Sequence, residues 1–96
     1  GKVIKKVYVA CDAGMGSSAM GASILRKKMK EAGFDDIKEK NVSIPSLPED
    51  VDIVVTHKSL TDRAIAVRPN AIHYSVENFL EGEQYDAIIK KIKETR

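Results

Sequence analysis

The sequence predicts an α/β domain of the three-layer Rossmann-like kind, with a four-stranded parallel sheet in the order 2-1-3-4 and about three flanking helices. Short, nearly continuous apolar runs, typical of strands that are buried on both faces, alternate along the chain with segments of helical period. Strands that alternate with helices form parallel sheets through right-handed crossovers. At 96 residues and 43% hydrophobic, the chain has enough apolar side chains for one modest core.

The first half of the chain predicts two strands and one helix. Residues 7–10 have the β-branched and aromatic bias of a central strand. A helical period follows over about residues 17–32, and Gly33 is expected to end it as a C-cap. Residues 36–44 alternate weakly and carry lysines, as an edge strand does, before Pro45 ends regular structure.

The second half predicts two more strands and two helices. Residues 52–56 form a short apolar run that is typical of a buried parallel strand. Ser59 followed by Asp62 predicts a capping box for a short helix. Residues 71–75 predict the fourth strand, and residues 76–94 predict a last helix with one apolar face.

The order 2-1-3-4 makes strands one and three neighbours whose outgoing helices lie on opposite faces of the sheet. Ligands of such folds bind in the crevice that opens at the carboxyl ends of these strands. We therefore expect the loop after Cys11 to meet the loop at residues 56–58, where His57 and Lys58 form a possible second wall of the site.

Composition argues against several classes of function. Sixteen basic and fourteen acidic residues give a net charge of only +2, and there is no Trp, so we expect no nucleic-acid partner. No apolar run approaches the roughly 18 residues that span a bilayer, so we expect no direct membrane insertion. A single cysteine without a disulfide framework indicates a reducing, cytoplasmic compartment. We find no metal motif and expect no cofactor.

The candidate nucleophile is Cys11, at the point where the first strand passes into a loop of small residues. A thiol just before a helix N-terminus is one whose thiolate becomes available. Backbone amides of such a loop also bind phosphate and supply the positioning that phosphoryl transfer needs without a metal. The predicted phosphate-binding residues are Asp12, Ala13, Gly14, Met15, Gly16, Ser17 and Ser18.

Two other classes of phosphate-binding loop fit this stretch less well. The low-molecular-weight tyrosine phosphatases also place Cys at the end of the first strand, but their loop ends in an Arg that grips the phosphate in a bidentate fork. Ser17 stands at that position here. A Walker-type nucleotide loop needs Gly-Lys-Ser/Thr after its glycines, and this chain has none. A carrier that holds a phosphoryl group on sulfur and passes it on remains.

Three stretches of the sequence resemble a known family of proteins. The stretch ACDAGMGSSAMGA at residues 10–22, with DIVVTH at 52–57 and LTDRA at 60–64, closely resembles the mannitol-specific IIB domain of the bacterial phosphoenolpyruvate-dependent sugar phosphotransferase system (PTS). The resemblance implies a protein-phosphohistidine–sugar phosphotransferase with a phosphocysteine intermediate at Cys11. It further implies a phosphohistidine on a IIA domain as donor, mannitol held by a membrane IIC domain as acceptor, and mannitol 1-phosphate as product.

The resemblance also sets expectations for the organisation of the protein. Residues 1–96 are expected to be a single IIB-type domain, cut from a larger membrane-associated transporter polypeptide and held at the inner face of the membrane when fused to IIC. Two alternatives stay open: a IIB-like module that senses phosphorylation within a transcriptional regulator, and a phosphatase of the low-molecular-weight type.

The remaining polar residues near the predicted site are assigned supporting or structural roles. Asp12 is expected to organise loop or partner contacts rather than to act as a base. Lys58 and Arg63 are expected at the surface, where they bias the potential towards an acidic or phosphorylated partner. His57 either donates a hydrogen bond to the phosphoryl group or is satisfied locally. His73 is expected to be structural.

Overall fold

The computed structural model describes residues 3–12 and 17–95, although it does not describe the side chain of Ser17. Its regular elements are β1 (Lys6–Cys11), α1 (Ser17–Glu31), β2 (Lys38–Ser43), β3 (Ile53–His57), α2 (Thr61–Val67), β4 (Ile72–Val76) and α3 (Asp86–Glu94), with short 3-10 helices at Ile44–Ser46 and Gly82–Tyr85.

Within the described residues the four strands form one sheet in the order β2-β1-β3-β4, and every neighbouring pair is parallel. The predicted fold class and strand order are therefore confirmed. β1 lies between β2 and β3, with Cys11 opposite Ser43 of β2 and Val9 opposite Val55 of β3. The carboxyl end of β1 is consequently flanked by a strand on each side.

Apolar side chains fill a layer on each face of the sheet. Successive residues of β1 alternate between the two layers, as the period of a strand requires. The larger cluster packs the sheet against α1 and α3 and includes Val7, Val9, Leu25, Met29, Ile53, Val55, Tyr85, Ile88 and Ile92. The smaller cluster lies on the α2 side and includes Tyr8, Ala10, Ile44, Leu47, Val51, Val54 and Ala64. Because α1 and α2 cover opposite faces, a crevice at the ends of β1 and β3 follows.

Glycine 33 ends the first helix as predicted. It has φ +82°, a left-handed conformation that suits Gly at the position after a helix, and the Phe34 N–H donates back to the Met29 carbonyl at 2.9 Å.

The predicted start of the last helix was wrong by ten residues. β4 runs to Val76, and α3 begins only at Asp86, after a loop and a 3-10 helix. The reason lies in Phe79 and Tyr85, which are both buried. The Tyr85 hydroxyl donates to the Phe79 carbonyl at 2.7 Å, so residues of this loop pack into the core in a non-helical conformation.

The predicted capping box at the start of the second helix was also wrong. Leu60 occupies the N-cap position of α2, and no side chain caps the helix there. The Ser59 hydroxyl instead lies 2.7 Å from His57 Nδ1. Ser59 is thus engaged by the preceding strand end, and its hydroxyl does not reach the helix.

No helix of the described ranges 3–12 and 17–95 is long and apolar enough to cross a bilayer.

Candidate functional site

Cys11 is the last residue of β1 and is partly exposed at the carboxyl edge of the sheet. Its Sγ lies 2.9 Å from the hydroxyl oxygen of Ser18, which is in the first turn of α1 and only 1% exposed. The strand and the helix therefore hold the thiol and the hydroxyl against each other, each from a rigid element.

This contact can stabilise the anionic form of the thiol. When Cys11 is a thiolate, only the Ser18 hydroxyl has a proton to share, so Ser18 becomes the donor. The amino end of the 15-residue helix α1 adds its unpaired N–H groups and its positive dipole end to the same region. A sulfur held in this way can act as a nucleophile and can leave again as a stabilised anion.

The predicted phosphate-binding loop lies largely outside the described residues. Ala13, Gly14, Met15 and Gly16 fall there, as does the side chain of Ser17, so their role stays a prediction. Asp12 and Ser18 frame the loop on either side. Asp12 is exposed, whereas Ser18 is buried beside Cys11.

His57, one of the two residues predicted for a second wall, ends β3 at the level where Cys11 ends β1. The register Val9 to Val55 places both residues two positions further along neighbouring strands. Residues two positions apart on a strand point to the same face of the sheet. The side chains of Cys11 and His57 therefore belong to the same face as those of Val9 and Val55, which pack towards α1 and α3.

Local contacts orient the His57 ring. The Ser59 N–H donates to Nδ1 at 3.1 Å, so the proton of the neutral ring is on Nε2. The ring centroid lies 6.3 Å from that of Phe79, whose carbonyl the Tyr85 hydroxyl holds. Burial of Tyr85 raises the pKa of its hydroxyl to about 12, so the hydroxyl stays protonated and keeps donating well into the alkaline range.

Lys58, the other predicted member of the second wall, is exposed, and its N–H donates to the Val76 carbonyl at 2.9 Å. The Thr61 hydroxyl donates to the His57 carbonyl at 3.2 Å and lies 2.8 Å from the buried Thr56 hydroxyl. This pair of hydroxyls ties the start of α2 to the end of β3. Whether His57 and Lys58 act on a ligand stays a prediction.

An ion pair between Asp12 and Arg63 was not foreseen from the sequence. The Asp12 carboxylate follows Cys11 directly and accepts from the Arg63 guanidinium of α2. The two residues are 51 positions apart, and only the crossover from β3 into α2 brings them together. The LTDRA stretch was the available signal, but it carried no information about which residue Arg63 would meet.

His73 has a structural contact, as expected. Its Nε2 lies 2.7 Å from the carbonyl oxygen of Arg68, the C-cap residue of α2. Among residues 3–12 and 17–95, no three His, Cys, Asp or Glu side chains are grouped so that they could hold a metal ion.

Comparison with known proteins places this arrangement in a family. A family model described as "PTS system, Lactose/Cellobiose specific IIB subunit" matches residues 6–91, from the start of β1 into α3. The chain belongs to the PTS IIB family. The sequence resemblance to that family is thereby confirmed, and the matched range contains every residue of the candidate site.

Curated relatives of this IIB chain share more than half of its residues. It is 59% identical over 90 residues to the PTS system mannitol-specific EIICB component of Halalkalibacterium halodurans, 60% identical to that of Bacillus subtilis and 59% to that of Geobacillus stearothermophilus. Each match covers 94% of this chain and 19% of the relative. The IIB chain therefore spans about a fifth of the length of these relatives.

Proposed function

We propose that this IIB chain carries a phosphoryl group on Cys11. It takes the group from a phosphohistidine of a IIA domain and passes it to mannitol bound by a membrane IIC domain, which gives mannitol 1-phosphate. The observation that carries this proposal is the 2.9 Å contact between Cys11 Sγ and the buried Ser18 hydroxyl at the junction of β1 and α1. It pairs a nucleophile with a fixed donor at a helix N-terminus.

In the first step the Cys11 thiolate attacks the phosphorus of the donor. The S–P bond forms as the P–N bond to the histidine breaks, and the imidazole leaves with the electron pair of that bond. The Ser18 hydroxyl and the amino end of α1 favour the thiolate before attack, and the predicted loop amides would then meet the phosphoryl oxygens.

In the second step a sugar hydroxyl attacks the same phosphorus. The O–P bond forms, the S–P bond breaks, and the hydroxyl proton passes to a base outside this chain. Cys11 leaves as a thiolate, so the contacts that prepared it as a nucleophile also make it a good leaving group. The chain is unchanged after both steps, as a carrier must be.

The sugar and the two partners are supported less directly than the family. Mannitol and a IIC partner are supported by two relatives, 59% and 60% identical to this chain, each of which is a mannitol-specific EIICB component. The family model names other sugars, so family membership alone does not select mannitol. The IIA donor follows from the sequence resemblance. We infer a IIB domain that works at the inner face of the membrane as part of a larger transporter.

Labelling tests the proposal. Incubation of the chain with phosphoenolpyruvate, the general PTS proteins and a mannitol IIA domain should phosphorylate one site, whose stability to acid differs from that of phosphohistidine. Cys11→Ser should abolish the label, and Ser23→Ala, which changes an exposed serine of α1, should retain it. Undiminished label in Cys11→Ser would overturn the proposal. Turnover of p-nitrophenyl phosphate by the unmodified chain would favour a phosphatase instead.

A further inference from the structure

The structure supplies an arginine to this site from a part of the chain that lies outside the predicted loop. The predicted loop lacks the Arg that binds the phosphate in the phosphatases, because Ser17 stands at that position. Arg63 of α2 nevertheless reaches Asp12, the residue next to the nucleophile, and forms an ion pair with it. A guanidinium thus contacts the residue that follows Cys11 in the chain.

Packing of α2 sets the position of Arg63. The helix begins just after β3, where the Thr61 hydroxyl is bonded to the His57 carbonyl. Ala64 is fully buried against the sheet and fixes the rotation of the helix about its axis. The neighbouring Arg63 is thereby directed along the carboxyl edge of the sheet, where the end of β1 lies.

The ion pair between Asp12 and Arg63 is favoured more in the unphosphorylated state of this site than in the phosphorylated one. Its carboxylate is beside Cys11, and a phosphoryl group on sulfur brings close to two further negative charges and three acceptor oxygens. The Arg63 and Asp12 side chains are 59% and 60% exposed, and an ion pair so exposed is weak and readily exchanged. A phosphoryl group offers the guanidinium more charge and a bidentate geometry.

We propose that Arg63 is a phosphoryl-binding residue of this site, held by Asp12 while Cys11 is unmodified and transferred to the phosphoryl oxygens when Cys11 is phosphorylated. No covalent change accompanies the exchange. It neutralises part of the charge that the carrier acquires, and only in the loaded state is the already exposed Asp12 carboxylate released from Arg63. This inference rests on the proposed function, because it requires a phosphoryl group on Cys11.

The test is a pH titration of the phosphorylated chain followed by ³¹P NMR, which reports the second ionisation of the phosphoryl group directly. A cation in contact favours the dianion, so Arg63→Gln should raise the second pKa of that group by about half a unit to one unit. Arg63→Lys, which keeps the charge and loses the planar fork, should give a smaller rise. Asp12→Asn removes a neighbouring negative charge and should lower the pKa.

Lys6→Gln is the matched control. Lys6 also forms a surface ion pair with an aspartate, Asp50, but it lies at the opposite end of β1 from Cys11. The same loss of one positive charge there should leave the phosphoryl pKa unchanged. The inference about Arg63 is overturned if the titration curve of phosphorylated Arg63→Gln superimposes on that of the phosphorylated parent chain. It is also overturned if Lys6→Gln shifts the phosphoryl pKa as much as Arg63→Gln does. Failure of the parent chain to acquire a phosphoryl group on Cys11 overturns the proposed function instead.

Discussion

At the scale of single residues, the site depends on a contact between Cys11 and Ser18, which lie seven positions apart on either side of a loop. β1 ends at Cys11, and the first turn of α1 places the buried Ser18 hydroxyl against its sulfur. A sequence of strand, small-residue loop and helix start was enough to predict that Cys11 would stand at a helix N-terminus. It was not enough to predict that the Ser18 hydroxyl would contact the sulfur, because that depends on how the first turn of the helix is rotated.

Ser18→Ala tests that contact. Removal of the hydroxyl takes one hydrogen bond from the thiolate, and we expect phosphoryl uptake from the IIA donor to slow about tenfold, equivalent to about 1.4 kcal/mol. The rate is measured by rapid-quench labelling, with Ser23→Ala on the exposed face of α1 as the matched control. Unaltered uptake by Ser18→Ala, in a variant whose circular dichroism matches that of the parent, would show that the hydroxyl has no part in the reaction.

At the scale of elements, α1 packs closely against the chain that leads into α3. A Cβ placed on Gly21 would overlap the Tyr85 hydroxyl and would lie 2.9 Å from Phe79 Cδ1. The apolar face of α3 was predictable from its period, but this approach was not. The close approach involves Phe79, a buried loop residue, and its burial cannot be predicted from a helical or strand period because it lies outside both kinds of element.

Gly21→Ala should therefore destabilise the protein, although Ala is the better helix former by about 1 kcal/mol. Overpacking of a core typically costs about 1 to 3 kcal/mol. Because the Cβ would approach two side chains to within 3 Å, we take the upper part of this range, about 2 to 3 kcal/mol, and expect a net loss of about 1 to 2 kcal/mol in the free energy of unfolding. Gly82→Ala is the control, since its Cβ would come no closer than 3.3 Å to any atom, and that atom belongs to the flexible end of Lys28. Urea denaturation measures both variants. Equal stability of Gly21→Ala and the parent would contradict the packing described.

At the scale of the whole molecule, the alternation of apolar runs and helical segments predicted the sheet order, because few topologies join such elements with right-handed crossovers. That Cys11 of β1 and His57 of β3 end neighbouring strands followed from that order. The Asp12 and Arg63 pair did not follow, since the order of strands sets which loops are neighbours and leaves open which side chains touch.

Tyr85 links this core to the stability of the molecule in alkali. Burial raises its pKa from 10.0 to about 12, so the unfolded chain loses the phenol proton first as the pH rises. The stabilisation from this group is complete below pH 10 and is lost between about pH 10 and 12, a decline of about 2 to 3 kcal/mol.

Tyr85→Phe should remove this decline while it lowers stability at neutral pH, where the hydrogen bond to the Phe79 carbonyl is lost. Burial also raises the pKa of Tyr74, whose smaller contribution remains in both proteins and serves as an internal reference. Denaturant titrations at a series of pH values measure the slope. The same alkaline slope in Tyr85→Phe and the parent would contradict the assignment.

The proposed function depends on which atom of the chain carries the phosphoryl group. A ³¹P NMR spectrum of the chain, phosphorylated through a IIA domain, distinguishes sulfur from nitrogen directly, because S–P and N–P phosphorus resonate in different ranges. We expect a single S–P resonance that disappears in Cys11→Ser and discharges when mannitol and the membrane IIC domain are added. An N–P resonance on this chain, as phosphorylation of His57 or His73 would give, or a phosphoryl label that persists undiminished in Cys11→Ser, would contradict the proposed function.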